Sequence, residues 1–163
     1  MATTCMMIID VQKGFINQWT EHIPEIVETL QNRYDLVFVS RFFNPEGSLQ
    51  RKLIGWERFA PGSEDVDLAF TAKDGAYVFD KSTYTCLTDD ILARLQGSAV
   101  GEVHLCGIAT DNCVLKTAVD LFEAGIIPTV LAAACASHGG IEAHEAGLML
   151  LKRFIGEAQV VTG

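Results

Sequence analysis

Val103-His104-Leu105-Cys106, Gly107-Ile108-Ala109-Thr110-Asp111-Asn112-Cys113-Val114 and Ile127-Pro128-Thr129-Val130-Leu131-Ala132 together decide the fold class. The first and last runs are short and apolar, as strands buried on both faces are. Between them Val114, Thr117, Ala118, Leu121 and Phe122 recur at helical spacing, and Gly125 follows as a suitable residue just past a helix end. Thr110 or Asp111 reads as the helix N-cap. Strand, turn, helix and strand in this order predict a parallel βαβ unit. Further strands are predicted at Cys5–Ile9, Leu36–Ser40, Ala76–Phe79 and Gln159–Val161, with helices at Ile23–Tyr34, Thr88–Leu95, Asp111–Ala124 and Glu142–Ile155. This alternation predicts an α/β, doubly wound, three-layer fold of Rossmann-like type, and the length argues for one domain over residues 1–163.

Composition narrows the partners. Twelve basic against 21 acidic residues give a net charge of −9, a field that repels phosphate backbones, so no nucleic-acid partner is expected. No apolar run reaches the roughly 20 residues needed to span a bilayer, and Met1-Ala2-Thr3-Thr4 carries no basic leader, so a cytoplasmic protein without a membrane partner is expected. The five cysteines are odd in number and form no CxxC, which suits reduced thiols rather than a disulfide framework.

Open parallel sheets bind ligands beyond the carboxyl ends of their strands. Asp10 ends Met6-Met7-Ile8-Ile9-Asp10, Lys81 ends Tyr77-Val78-Phe79-Asp80-Lys81, and Cys113 lies shortly after the Val103–Cys106 strand. An acid, a cation and a thiol are thereby predicted on one rim. Each alone has a plainer reading: a turn residue, a solvated lysine, a buried structural thiol. In the first helical turn, however, the dipole and a neighbouring lysine would lower the Cys113 pKa and favour a thiolate, and the same N–H groups could receive an oxyanion. Between Arg41 and Lys73 a long Pro- and Gly-punctuated segment with Phe42, Phe43, Trp56 and Phe59 reads either as a functional loop or as a cover over the sheet edge, with a helical turn near Ser48–Gly55.

Together these residues resemble the isochorismatase-like cysteine hydrolases, a family that includes nicotinamidases, N-carbamoylsarcosine amidases and ureidoacrylate amidohydrolases. The resemblance rests on Ile9-Asp10-Val11-Gln12-Lys13-Gly14-Phe15, Lys81, Gly107–Val114 with Thr117-Ala118, and Ala136-Ser137 followed by Glu142-Ala143-His144. It implies a six-stranded parallel sheet and a catalytic triad of Asp10, Lys81 and Cys113. It also implies a cis Ile108–Ala109 peptide, with the Ala109 and Cys113 N–H groups as oxyanion hole. The expected activity is metal-independent cleavage of a small amide, ureido or imide C–N bond through a Cys113 acyl-enzyme.

The sequence departs from the family where nicotinamidases carry an Asp and two His that hold a metal. Here Ser40-Arg41-Phe42-Phe43-Asn44 begins that stretch, and no histidine occurs from Ile23 to Val103, so no metal is expected; with no GxGxxG or GxxxxGKS/T phosphate loop, no other cofactor is expected either. His138, beside Gly139-Gly140, could reach the rim, though its plainer reading is a solvated loop residue. The candidate substrate contacts are Phe15, Trp19, Arg41, Asn44, Tyr84 and Thr110. Arg41 would meet a substrate carboxylate if it is not in a surface ion pair, and Cys86 would join Tyr84 in the pocket lining. The competing activities are an isochorismatase-type vinyl-ether hydrolase and a non-hydrolytic thiol sensor or scaffold. Ala143, Gly147, Leu150, Leu151 and Phe154 are predicted to form one apolar helix face, with Leu148 and Met149 pointing away from it, so a homodimer or larger homo-oligomer is expected.

Overall fold

A computed structural model describes residues 2–162. Six strands form one all-parallel sheet: β1 (Cys5–Ile9), β2 (Leu36–Phe42), β3 (Tyr77–Lys81), β4 (Glu102–Ile108), β5 (Ile127–Ala136) and β6 (Val160–Val161). Their spatial order is β3-β2-β1-β4-β5-β6. The chain therefore winds outward twice from β1, leaving the switch point between β1 and β4, where such sheets open a crevice. All five residues of β1 are buried, as a strand covered on both faces requires, whereas edge strand β3 alternates in exposure.

The helices are α1 (Ile23–Leu30), α2 (Asp89–Gly97), α3 (Leu115–Glu123) and α4 (Ile141–Ile155). Pro24 opens α1, where its missing N–H costs nothing. At α2 the Thr88 side chain accepts from the Ile91 N–H, and Asp89 and Asp90 complement the positive helix end. No helix of the described residues is long and apolar enough to cross a membrane.

Two readings of helix ends and faces are corrected. Neither Thr110 nor Asp111 caps α3. Residues Thr110–Val114 wind into a wide π-type turn preceded by extended Ala109, and the Asn112 and Val114 amides both donate to the Ala109 carbonyl. In α4 the buried residues are Gly147, Leu151 and Ile155, while Leu150 and Phe154 face outward with Met149. The buried face is narrower than the sequence predicts, because α4 packs against α3 and the π-type turn along a single seam.

Two glycines fix how the layers meet. A Cβ at Gly107, whose φ is +120°, would lie 2.1 Å from the Ile9 carbonyl oxygen, so β4 approaches β1 there only without a side chain. A Cβ at Gly147 would lie 2.8 Å from the Asp111 backbone, so this position lets α4 rest directly on the π-type turn.

The segment between β2 and β3 is the expected cover over the sheet. Phe59, Val66 and Phe70 are buried in the core, and a helical turn at Gln50–Ile54 reaches over the strand ends.

Candidate active site

Asp10 leaves the end of β1 with a positive φ of 49°, an uncommon conformation for a residue with a side chain. Backbone outliers of this kind cluster where the surrounding structure enforces a particular side-chain direction. Here the direction is set by Ser40 on the neighbouring strand. Its hydroxyl donates to Asp10 Oδ1 at 2.7 Å and accepts from the Asp10 N–H at 3.1 Å. Lys81 starts two strands away on β3 and reaches across β2 over the Phe42 ring. Its ammonium donates to Asp10 Oδ2 at 2.9 Å and to the Thr83 carbonyl at 2.7 Å, and stands 3.6 Å from Cys113 Sγ. The Asp10 and Lys81 side chains are both fully buried. The acid, cation and thiol that the sequence sets on one rim are thus in mutual contact. The peptide joining Ile108 to Ala109, at the foot of the thiol-bearing turn, is cis.

Electrostatics corrects one expectation. Burial, and then the charge of Asp10, push the Cys113 thiol well above the usual cysteine range, and Lys81 only partly opposes them. The resting group is therefore a thiol rather than a standing thiolate, because desolvation outweighs the lysine and the helix end. Burial also opposes the Lys81 charge, but the Asp10 carboxylate, by its charge and its hydrogen bond, outweighs it and holds the ammonium above its ordinary value.

Cys113 and Ala109 form the floor of a cleft of about 250 Å³. Its walls include the aromatic rings of Phe15, Phe42, Trp56 and Tyr84, so Phe15 and Tyr84 stand where the sequence suggested. The polar lining comes from Gln50, Asn112 and His138. His138 is not a solvated loop residue: its ring packs 4.8 Å from that of Phe15 and 5.7 Å from that of Trp56.

Four proposed contacts lie elsewhere. Arg41 is taken by Asp80, with Nε donating at 2.8 Å, on the outer side of the β2–β3 pair. Asn44 is fully buried, donating to the carbonyls of Trp56 and Arg58 and accepting from the Ser48 hydroxyl, so it braces the cover loop. Trp19 borders a separate small cavity with His22, Ser137 and His144. Thr110 is buried beneath the turn, its hydroxyl 2.7 Å from His144 Nδ1. Cys86 is buried behind the site with its thiol on the Ser40 hydroxyl. Sequence reasoning passed over Ser40 as a strand residue, although a lone hydroxyl inside an apolar run is itself a signal. It also passed over the bracing role of Gln12, whose amide bonds both the N–H and C=O of Phe42 and the Val66 carbonyl.

The residues present do not fit a metal of the nicotinamidase kind. Among the described residues no group of three or more His, Cys, Asp or Glu side chains is gathered to hold an ion. Glu46, Glu57 and Glu64 are exposed, and Asp65 is engaged by Arg58. Structural and catalytic metal centres need several such oriented ligands.

Comparison with known proteins agrees with this geometry at the level of family. Among solved structures, the pyrazinamidase/nicotinamidase of Streptococcus mutans UA159 superposes with a TM-score of 0.85 at 23% identity, over 98% of this chain and 100% of that one. The pyrazinamidase of Pyrococcus horikoshii, described in complex with zinc, gives 0.80 at 20% identity, over 94% and 96%. At these identities the likeness speaks for the fold. An uncharacterized isochorismatase family protein, PncA, of Bacillus subtilis (strain 168) is 40% identical over 50 residues, 30% of this chain and 27% of that relative's length. The chain thus spans about a quarter of this curated relative. The family model described as the isochorismatase domain matches residues 4–162, and with the sheet order and the strand-end cluster it settles that the chain belongs to the isochorismatase family.

Proposed function

We propose that residues 1–163 act as one metal-independent cysteine hydrolase that cleaves a small amide, ureido or imide C–N bond. The observation that carries this reading is the contact of Lys81 with both Asp10 and Cys113 on the floor of an apolar cleft. Because the thiol is protonated at rest, the Cys113 proton passes to the Asp10 carboxylate as sulfur attacks the substrate carbonyl carbon. Lys81 stabilises the negative charge shared between the two groups. The Ala109 and Cys113 N–H groups receive the developing oxyanion, an interaction for which removal of one donor costs about 3 kcal/mol in measured cases. Asp10 then gives its proton to the leaving nitrogen, the C–N bond breaks, and amine or ammonia departs from a Cys113 thioester. A water molecule, deprotonated by Asp10, attacks that thioester, and the acid leaves with the thiol restored.

The test is a screen of small primary amides, ureido acids and cyclic imides with intact-mass detection of an acyl adduct on Cys113, repeated after exhaustive chelation. An adduct and turnover that survive chelation are expected. Activity that dies with removal of stoichiometric zinc, iron or manganese and returns with it would overturn the metal-independent reading.

A further inference from the structure

We propose that His138 is the specificity-determining residue of the cleft, making one hydrogen bond through Nε2 to a neutral polar group of a flat, uncharged substrate. The proposal takes from the hydrolase reading only that the bound molecule is an amide.

The cleft carries no fixed charge. None of its lining residues is Lys, Arg, Asp or Glu. The cations around it are committed elsewhere: Lys81 to Asp10, Arg41 to Asp80, and Arg58 to Asp65. Arg51 has no carboxylate partner among the described residues, but it lies outside the lining, with Nη2 donating to the Asn44 carbonyl and Nε enclosed. A substrate carboxylate would lose its water without gaining a counter-ion, in a protein of net charge −9. The shape is equally selective. Phe15 and Trp56 lie within 14° of parallel with centroids 6.4 Å apart, and the His138 ring tilts against both, so the wall offers flat apolar faces to a flat ligand.

Within that wall His138 is held ready for a polar contact. The Asn17 side-chain amide anchors its carbonyl at 2.9 Å. Among the described residues its Nδ1 is enclosed and has no partner, which leaves Nε2 for a ligand in the cleft. Burial lowers the imidazole below the ordinary histidine value, against the nearby Asp111 charge, so the ring reads its ligand as a neutral group.

Binding is measured in a Trp19→Phe, Cys113→Ala protein, where Trp56 is the sole tryptophan and no turnover intervenes. The probes are 3- and 4-hydroxybenzamide, their methyl isosteres, and 3- and 4-carbamoylbenzoate, followed by Trp56 fluorescence. One hydroxybenzamide is expected to bind about tenfold tighter than its methyl isostere, as one added hydrogen bond allows, and tighter still than the carboxylates. His138→Phe, which keeps a ring in the wall, should erase the hydroxyl preference, and His138→Gln should keep most of it. A hydroxyl preference unchanged in His138→Phe, or no saturable binding of any neutral probe at millimolar concentration, would overturn the proposal. So would tighter binding of the carboxylates that disappears in Arg51→Met. Failure of the hydrolase reading is separate: it would appear as His138-dependent binding in a protein whose Cys113 never acylates.

Discussion

Four of the five cysteines are packed into the core away from the cleft, and Cys113 alone among them lines it. Accessibility therefore singles out Cys113 for alkylation, even though burial raises its pKa. Iodoacetamide should modify Cys113 first, as peptide mapping would reveal. Since the thiolate reacts and its pKa lies above the usual range, the rate should keep climbing as pH rises past about 8.5, the ordinary thiol value, without levelling near neutrality. A plateau below pH 8 would mean the thiolate already dominates there. Cys113→Ala should lower turnover on the order of 10⁴-fold or more while leaving the fold intact, by analogy with loss of other nucleophiles. Lys81→Met and Asp10→Asn carry a further consequence. Each leaves a buried group without its opposite charge, and breaking such a pair costs about 3–5 kcal/mol. Both variants should unfold at lower urea concentration; while still folded, Lys81→Met should alkylate more slowly at Cys113, whereas Asp10→Asn, which removes a charge that raises the thiol pKa, should alkylate faster. Wild-type alkylation rates in both would show the three groups to be uncoupled.

At the scale of elements, the nucleophile turn depends on α4 behind it. Gly147→Ala would gain about 1 kcal/mol in helix propensity, but the new methyl would stand 2.8 Å from the Asp111 backbone. Backbone cannot swing aside as a side-chain end does, so overpacking wins. A net loss of about 1–3 kcal/mol is expected in urea unfolding, with slower Cys113 alkylation as the turn shifts. A stabilised Gly147→Ala with wild-type alkylation would mean that α4 does not hold the turn. The same contact explains why the cap was misread. Thr110 and Asp111 are good cap residues by type, yet Thr110 is drawn to His144 and the turn widens to set Cys113 over Lys81. Local propensity lost to tertiary hydrogen bonding there.

For the whole molecule, the outward residues of α3 and α4 carry the expectation of assembly. Phe122, Met149, Leu150 and Phe154 are all exposed, and Phe154 borders a groove with Leu115 and Val119. Large apolar side chains clustered on adjoining helices favour a second copy over water. Light scattering at micromolar concentration should report a dimer or larger assembly, and Phe154→Glu should shift it toward monomer without changing the circular dichroism. A wild-type monomer would remove this expectation.

How much was legible from sequence depended on the range of the forces involved. The apolar runs at Cys5–Ile9 and Val103–Cys106, the helical period of Val114–Phe122 and the placing of Asp10, Lys81 and Cys113 just past strands are local signals, written in neighbouring residues. They determined the parallel α/β fold and brought three reactive groups to one rim. Partners distant in the chain were decided only by tertiary structure. Arg41 was free in sequence and is paired with Asp80 once β2 lies beside β3. Asn44 and Thr110 were polar candidates and became braces, because burial obliges each polar atom to find a partner. His138 read as a solvated loop residue and became a wall of the cleft when the cover loop laid Trp56 against it. The Cys113 pKa moved opposite to the local forecast for the same reason: a helix end and a lysine act over a few residues, whereas desolvation is imposed by everything that folds around the thiol.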